Sequence, residues 1–581
     1  FTNIAILFCL LTTAISCSRT EGGTVYLENY LEEGQAQIDA MPAIRKALEF
    51  CRETKADSLV LPEGVLKILP DFSYEKYQFI SNNTESLKRI AFDLDGMNDF
   101  KVVGKNTKLL FTGFISPFSA VGCKNVSFKG FSVDYTRTFH SEAEILAVGD
   151  GYMDLRFPED YKYNIINGCL YFTDDKRNNY LFSSLLEFDA KRREPAYLAS
   201  DYWLSKQTIE AKPIKDHVVR IFHKDIKGTP GNIMVLGATA RYNPAFFISN
   251  SENIGIRDVT LYHCGGMGVI AQSSEDIELL RLKVIPAEGR MISITADATH
   301  FVNCKGYIKM IDCIFHNQKD DATNIHGWYM AVDKIVSPTE LYLRWRNSGQ
   351  YGIDFLNPGD RIEFVDNTTL EILGYGTVKS SKLLNKQFAN ITLHDSIPER
   401  LKEKMVIAED NSYPDVLISG CNMRGNRARG LLLGSRGKIV IENNYFSIPG
   451  AAILFEGDGN YWYEQSGVRD VVIRNNVFEN GNFGYPTWGR ACIAVGSGIP
   501  NKEAGVYYHQ NILIENNTFK VFDPRILNLY SVDGLTFKNN TIEKTDYYPY
   551  TLDEQNPFVQ NYCKNINCLL YTSPSPRDKR Q

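Results

Sequence analysis

Lys438-Ile-Val-Ile-Glu-Asn-Asn444 returns, with changes, as Asp470-Val-Val-Ile-Arg-Asn-Asn476, Asn511-Ile-Leu-Ile-Glu-Asn-Asn517 and Gly534-Leu-Thr-Phe-Lys-Asn-Asn540. Apolar residues at alternate positions mark a strand with one buried face, because successive side chains of a strand point to opposite sides. The apolar half of the pattern recurs upstream in Asn253-Ile-Gly-Ile256, Asp276-Ile-Glu-Leu279, Tyr307-Ile-Lys-Met310 and Asp415-Val-Leu-Ile418. Counted between first apolar residues, the steps are 23 (Ile254 to Ile277), 31 (to Ile308), 23 (Val416 to Ile439), 32 (to Val471), 41 (to Ile512) and 23 (to Leu535). The base period is 23, with loops added. A unit this short, made of strands without a helical partner, buries its apolar side only by stacking on copies of itself. The chain is therefore expected to be all-β, a right-handed parallel β-helix. The Asn pairs fall at equivalent places in their units, which predicts ladders of side-chain amides at the turns.

Two gaps break the rhythm. From Val126 to Ile254, and again from Ile308 to Val416, the chain runs on for several times the base period before the pattern resumes. Beyond the one coil each step must contain, both gaps hold an insert of domain size. Both inserts contain short alternating strands broken by turn signals, such as Asn357-Pro-Gly-Asp360 before Arg361-Ile-Glu-Phe-Val365, so each suits a small β-barrel or sandwich. The expected division is 18–139 for a cap and the first coils, 140–240 for the first insert, 241–327 for coils, 328–410 for the second insert and 411–550 for the last coils. Ahead of the coils, Ala43, Ile44, Ala47, Leu48 and Cys51 recur at helical spacing behind Pro42. An amphipathic helix there would cap the open end of the solenoid.

The 581 residues carry 63 Lys plus Arg against 69 Asp plus Glu, a net charge of −6 without the basic stripe that phosphate backbones require. Nucleic acid is not an expected partner. Residues 1–17 read as an export signal: Ile4 to Ile15 is apolar, and the small residues that follow abut Cys17, as in a bacterial lipoprotein signal that would lipidate Cys17. The expected location is the bacterial cell envelope, periplasmic or at the outer-membrane surface, with the membrane met only through that anchor. Residues 551–581 read as a truncated end, with a non-native tail from Cys568. Nine of the twelve Cys lie outside the leader and the tail from Cys568; none forms a C-x-x-C pair, and Cys264, Cys304, Cys313 and Cys421 beside β-rich runs read as small buried hydrophobes.

The chemistry-bearing segments are Thr295-Ala-Asp-Ala-Thr-His-Phe301 and Lys319-Asp-Asp-Ala-Thr-Asn-Ile-His-Gly327. Asp297 and Asp320 are one base period apart, which predicts that they and Asp321 share one place on neighbouring coils. Adjacent Asp residues are awkward inside a solenoid strand, so the pair belongs at a corner. Three clustered carboxylates raise the proton affinity of at least one of them, so an acid and a base coexist at one pH, as glycosidic cleavage requires. Taken singly these acids would read as turn caps. The company of His300, Asn324, His326 and Trp328, a mixture of sugar hydrogen-bonders and an aromatic platform, favours a site.

These two segments, with Phe455-Glu-Gly-Asp458 and Tyr461-Trp-Tyr-Glu464, resemble glycoside hydrolase family 110, exo-acting α-1,3-galactosidases that include enzymes removing the terminal galactose of the blood-group B antigen. The resemblance runs from about residue 24 to 548. It implies a parallel β-helix with two inserted β-barrels, hydrolysis without a metal or other cofactor, inversion at the anomeric carbon, and catalysis by Asp297, Asp320 and Asp321. By analogy with pectin-cleaving hydrolases of family 28, Asp320 would protonate the leaving oxygen while Asp297 and Asp321 activate water. Acid and base should then lie roughly 6.5 to 9.5 Å apart.

A galactoside needs an aromatic face and charged hydrogen-bonders. Trp328 and Trp462 are the aromatic candidates. Arg427 and Arg429 alternate on what reads as a strand, facing the acids from the next coil; Glu456 and Glu464 are expected to bind hydroxyls, and Asp458 reads equally as a turn acid. Asp134, Arg137 and His140, where the coils lead into the first insert, are further candidates. Competing readings are another β-helix polysaccharide-degrading enzyme of polygalacturonase or calcium-dependent pectate-lyase type, and a non-catalytic surface carbohydrate-binding solenoid. The linkage context of the galactoside, branched or linear, and the oligomeric state are left open.

Overall fold

The computed structural model describes residues 22–569 apart from 239, 490, 497, 502–504 and 551–554. The apolar leader with Cys17, and the chain beyond 569, lie outside the described residues. The marker residues stack in one parallel column: Val126 on Ile254, then Ile277, Ile308, Val416, Ile439, Val471, Ile512 and Leu535. The chain is a parallel β-helix. A full coil gives one strand to a 13-stranded sheet and two consecutive strands to a 22-stranded sheet, as in Val269–Gln272 followed by Glu275–Leu280 and Lys283–Val284. The inward side chains of both sheets form a continuous core from Val25 to Phe537, in which Cys264, Cys304, Cys313 and Cys421 are buried. Phe446, Phe478 and Phe519 stack ring on ring along it, with centroids 5.0 and 4.7 Å apart.

The Asn pairs hold the corners. Asn444 Nδ2 donates to Asn476 Oδ1 (3.0 Å), Asn476 to Asn517 (2.9 Å) and Asn517 to Asn540 (3.0 Å). The preceding Asn443, Asn475, Asn516 and Asn539 take φ of 57, 56, 56 and 55°, the left-handed region that Asn enters at low cost. One Asn of each pair makes the turn and the other makes the ladder.

The helix Met41–Thr54 buries Met41, Ala43, Ile44, Ala47, Leu48 and Cys51 in the same core as Leu59 and Phe92 of the first coils. At the other end the coils continue past residue 550. Phe558–Asn561 and Lys564–Leu569 stack on Leu527–Tyr530 and Val532–Lys538. This corrects the boundary drawn from sequence: Ile566 and Cys568 repeat the alternate spacing of Leu535 and Phe537, so the stretch set aside from Cys568 begins inside a coil strand.

Twice the chain leaves the coils. Strands from Ser141 to Gly237 make an eleven-stranded antiparallel sheet, and strands from Met330 to Glu409 make a closed six-stranded barrel. The barrel has its own core around Trp328, Trp345 and Phe355. It is tied to the coils by Arg436, whose guanidinium bonds both oxygens of the fully buried Glu363 at 2.6 and 2.9 Å.

Candidate active site

The acids sit at a corner. Asp297 lies two residues before the strand Thr299–Val302, and Asp320 and Asp321 lie between Ile314–His316 and Thr323–Trp328. The register pairs Thr299 with Thr323, and the Ala298 amide donates to the Asp321 carbonyl at 3.0 Å. The local coil is thus longer than the base period by a single residue, and Asp321, rather than Asp320, continues the column above Asp297. One oxygen from each of Asp297, Asp320 and Asp321 lies within 4.8 Å of the other two, closer than the separation expected for an opposed acid and base.

Three arginines neutralise the corner. Arg429 meets Asp321 through Nε and Nη2, each at 3.0 Å. Arg427 reaches Asp320 at 3.1 Å and Asp201, from the first insert, at 2.6 Å. Arg241, at the exit of that insert, binds the other Asp320 oxygen at 2.6 Å. Arg427 and Arg429 lie in the connection between the strands Asn422–Arg424 and Leu431–Leu433, not on a strand as their alternation suggested. Burial pushes Asp321 up to about 8 against the pull of Arg429, and burial with the nearby Asp320 charge pushes Asp297 up to about 7. Asp320 is held below the usual carboxylate range because Arg427, Arg241 and Arg429 outweigh its burial. The three oxygens could converge on a cation, but Arg429 occupies both oxygens of Asp321 while Arg241 and Arg427 share those of Asp320. The guanidinium groups already supply the countercharge.

The corner opens into a cleft of about 1000 Å³. His300, Asn324, Arg427, Arg429, Glu456, Trp462 and Glu464 line it with the acids. His326 does not: it stands behind His300, their Nε2 atoms 3.0 Å apart. Asp458 builds a turn, accepting from the amides of Asn460 (2.7 Å), Tyr461 (2.8 Å) and Trp462, and so presents Tyr461 and Trp462 at the rim, where Trp462 is 54 % exposed.

Trp328 is a correction. It is fully buried, packs against Trp345 and Phe355 at centroid distances of 6.1 and 5.4 Å, and donates Nε1 to Ser81 Oγ at 3.2 Å. The strand ends there as the chain enters the barrel, so this indole faces the barrel core and not the cleft. Asp134, Arg137 and His140 are a second correction, for none of them lines the cleft. Asp134 is paired with Arg290 (2.6 Å) and Lys108 (3.0 Å), Arg137 is buried between the rings of Tyr161 and Tyr180, and His140 is wholly buried 3.4 Å from Glu142.

Sequence reading missed Arg241, Asp201, Asn82 and the cleft tryptophans Trp203 and Trp488. Trp203 is 61 % exposed on the strand Tyr202–Trp203 of the first insert. Asn347, Tyr351 and Lys386 of the barrel form another wall, and Lys386 is paired with Glu85. The buried Lys319 Nζ donates to Ser184 Oγ of the first insert at 2.5 Å, and burial lowers its pKa to about 8. These side chains come from loops and inserts without a repeat to place them.

Fold and site together define a class: a β-helix whose two inserted β-domains wall a cleft over three clustered carboxylates. Residues 141–234 match the family description GLAA-B beta-barrel domain I, residues 340–407 match GLAA-B beta-barrel domain II, and residues 404–572 match a right-handed beta helix region. The chain is 34 % identical to alpha-1,3-galactosidase A of Shewanella woodyi over 88 % of this chain and 84 % of that one. It is 30 % identical to alpha-1,3-galactosidase B of Bacteroides thetaiotaomicron over 97 and 94 %, and 29 % identical to alpha-1,3-galactosidase A of Bacteroides fragilis over 95 and 93 %. The chain belongs to the α-1,3-galactosidase A/B family.

Proposed function

We propose that the chain is an exo-acting glycoside hydrolase that removes terminal α-1,3-linked galactose at the Asp297, Asp320 and Asp321 corner. The observation that carries this is the proton inventory in a member of that family. Two buried carboxylates lean to the protonated form beside a third held ionised, which supplies acid and base at one pH. Asp320 protonates the leaving oxygen, and Asp297 and Asp321 hold and deprotonate the water, roles taken from the family 28 analogy. The resting charges add a step. Asp320 is an anion between Arg241 and Arg427, so one proton must pass to it from Asp297 or Asp321 as the sugar enters. The gap of at most 4.8 Å is one that a water or a sugar hydroxyl bridges.

Inversion is supported by the resemblance alone. With the acids this close, the attacking water must enter beside the trio instead of between opposed carboxylates. The cleft is large for a single galactose, and its rim tryptophans favour an oligosaccharide such as the blood-group B determinant or a linear α-1,3-galactoside. The apolar leader and Cys17 support export and lipid anchoring in the cell envelope. Incubation with B trisaccharide and with linear α-1,3-galactobiose, read by proton NMR at early times, tests the proposal: β-galactose appearing first supports inversion, α-galactose first contradicts it, and no release from either removes the assignment.

A further inference from the structure

Behind the corner, three buried side chains from two coils stand in line. Asp297 Oδ2 is 2.6 Å from His300 Nδ1, His300 Nε2 is 3.0 Å from His326 Nε2, and His326 Nδ1 is 2.8 Å from the Gly327 carbonyl oxygen. Each contact needs a proton between its heavy atoms, because two bare lone pairs at these distances repel. A carbonyl has no proton to give, so His326 Nδ1 donates, and a neutral His326 then presents a bare Nε2. His300 Nε2 must donate to that atom, which leaves His300 Nδ1 bare against Asp297. With both imidazoles neutral, the chain closes only if Asp297 carries the last proton.

The other arrangements cost more. An ionised Asp297 that accepts from His300 Nδ1 sets two bare Nε2 atoms face to face at 3.0 Å. An imidazolium at either histidine buries a cation; His300 is 1 % exposed, and Arg241 and Arg429 already bring positive charge to the corner. Asp320 and Glu464 are the acidic groups that face the chain with Asp321, which itself leans to the protonated form. Glu464 Oε1 lies 3.5 Å from His326 Nε2, beyond good hydrogen-bond reach, and receives Asn82 Nδ2 at 3.4 Å. Asn82 Nδ2 is also 3.4 Å from His300 Nε2, longer than the contact between the two imidazoles.

We propose that His300 and His326 are positioning residues that keep a proton on Asp297 in the resting enzyme, with the Gly327 carbonyl setting the tautomer of the whole chain. This rests on the reading of Asp297 as a catalytic carboxylate. It makes that residue's protonation depend on His326, one coil away and outside the cleft. Removing the His326 acceptor frees His300 to turn its tautomer and donate Nδ1–H to an ionised Asp297, which lowers the proton affinity of the carboxylate.

The full chain labelled with ¹⁵N-histidine has nine His to resolve, assigned by His300→Gln and His326→Gln. Correlation spectra at the pH of activity should show His300 protonated only at Nε2 and His326 only at Nδ1. A neutral His300 protonated at Nδ1, or an imidazolium at either site, would overturn the proposal. In kinetics, His326→Leu should move the Asp297 limb of the pH profile to lower pH by about one unit or more. His326→Gln, whose Oε1 still accepts from His300, should restore the parent profile, and an unshifted limb in a folded His326→Leu enzyme counts against the chain. The tautomer readout needs no turnover, so it separates this proposal from the catalytic reading, which Asp297→Asn tests independently.

Discussion

Arg429 grips Asp321 side on, with one nitrogen 3.0 Å from each carboxylate oxygen; the carboxylate is buried and the guanidinium is partly exposed to the cleft. Such a fork restrains a carboxylate that burial alone would drive further up. In Arg429→Ala, Asp321 should rise above its value of about 8, so the acid limb of kcat/KM against pH moves upward, and kcat at neutral pH falls on the order of 100-fold. Arg429→Lys keeps charge without the fork and should fall between. Steady-state rates across the neutral range, on both sides of that limb, check both.

The roles within the trio separate by leaving group. Asp320→Asn should lose on the order of 10³-fold on an α-1,3-galactobiose yet keep much of its rate on an aryl α-galactoside whose phenolate needs no proton. Asp297→Asn and Asp321→Asn should lose comparable activity on both. Equal losses for Asp320→Asn on the two substrates would remove its assignment as the acid.

Two tryptophans that look alike in sequence should fail differently. Trp328→Ala empties part of the barrel core and should cost about 3–5 kcal/mol of stability, seen as a lower denaturation midpoint. Trp462→Ala, at the rim, should leave that midpoint in place and raise KM for the trisaccharide about threefold to tenfold.

The amide ladder carries its own prediction. Asn476 Nδ2 donates to Asn517, and its Oδ1 accepts from both the side chain and the backbone amide of Asn444, so Asn476→Ala breaks the ladder and leaves the buried Asn444 amide without its acceptor. The expected loss is about 1–3 kcal/mol in chemical denaturation, with turnover per folded molecule unchanged.

The solenoid was legible because stacking imposes one residue-by-residue rule on every coil. Ile254, Ile277, Ile308 and their successors lie in a single column because an inward apolar residue must meet its copy on the next coil. The same arithmetic slipped by one at the corner. A bulge between Lys305 and Ile308 lengthens the local coil by a single residue, so Asp321 follows Asp297 while Asp320 turns toward Arg241 and Arg427. Trp328 misled because an indole next to a catalytic motif reads the same whichever core it enters, and the adjoining barrel claimed it. Arg241, Asp201 and Trp203 left no signal, since they reach the cleft from a non-repeating insert and its exit.

The division of labour between corner and walls has a practical corollary. The proton-handling groups belong to the coils, except for Arg241, while Trp203, Asn347, Tyr351 and Lys386 belong to appended domains. Chimeras that trade only these loops between relatives should inherit a donor's appetite for branched or unbranched sugars and keep their own chemistry, so that the solenoid serves as a chassis and the appendages as exchangeable tooling.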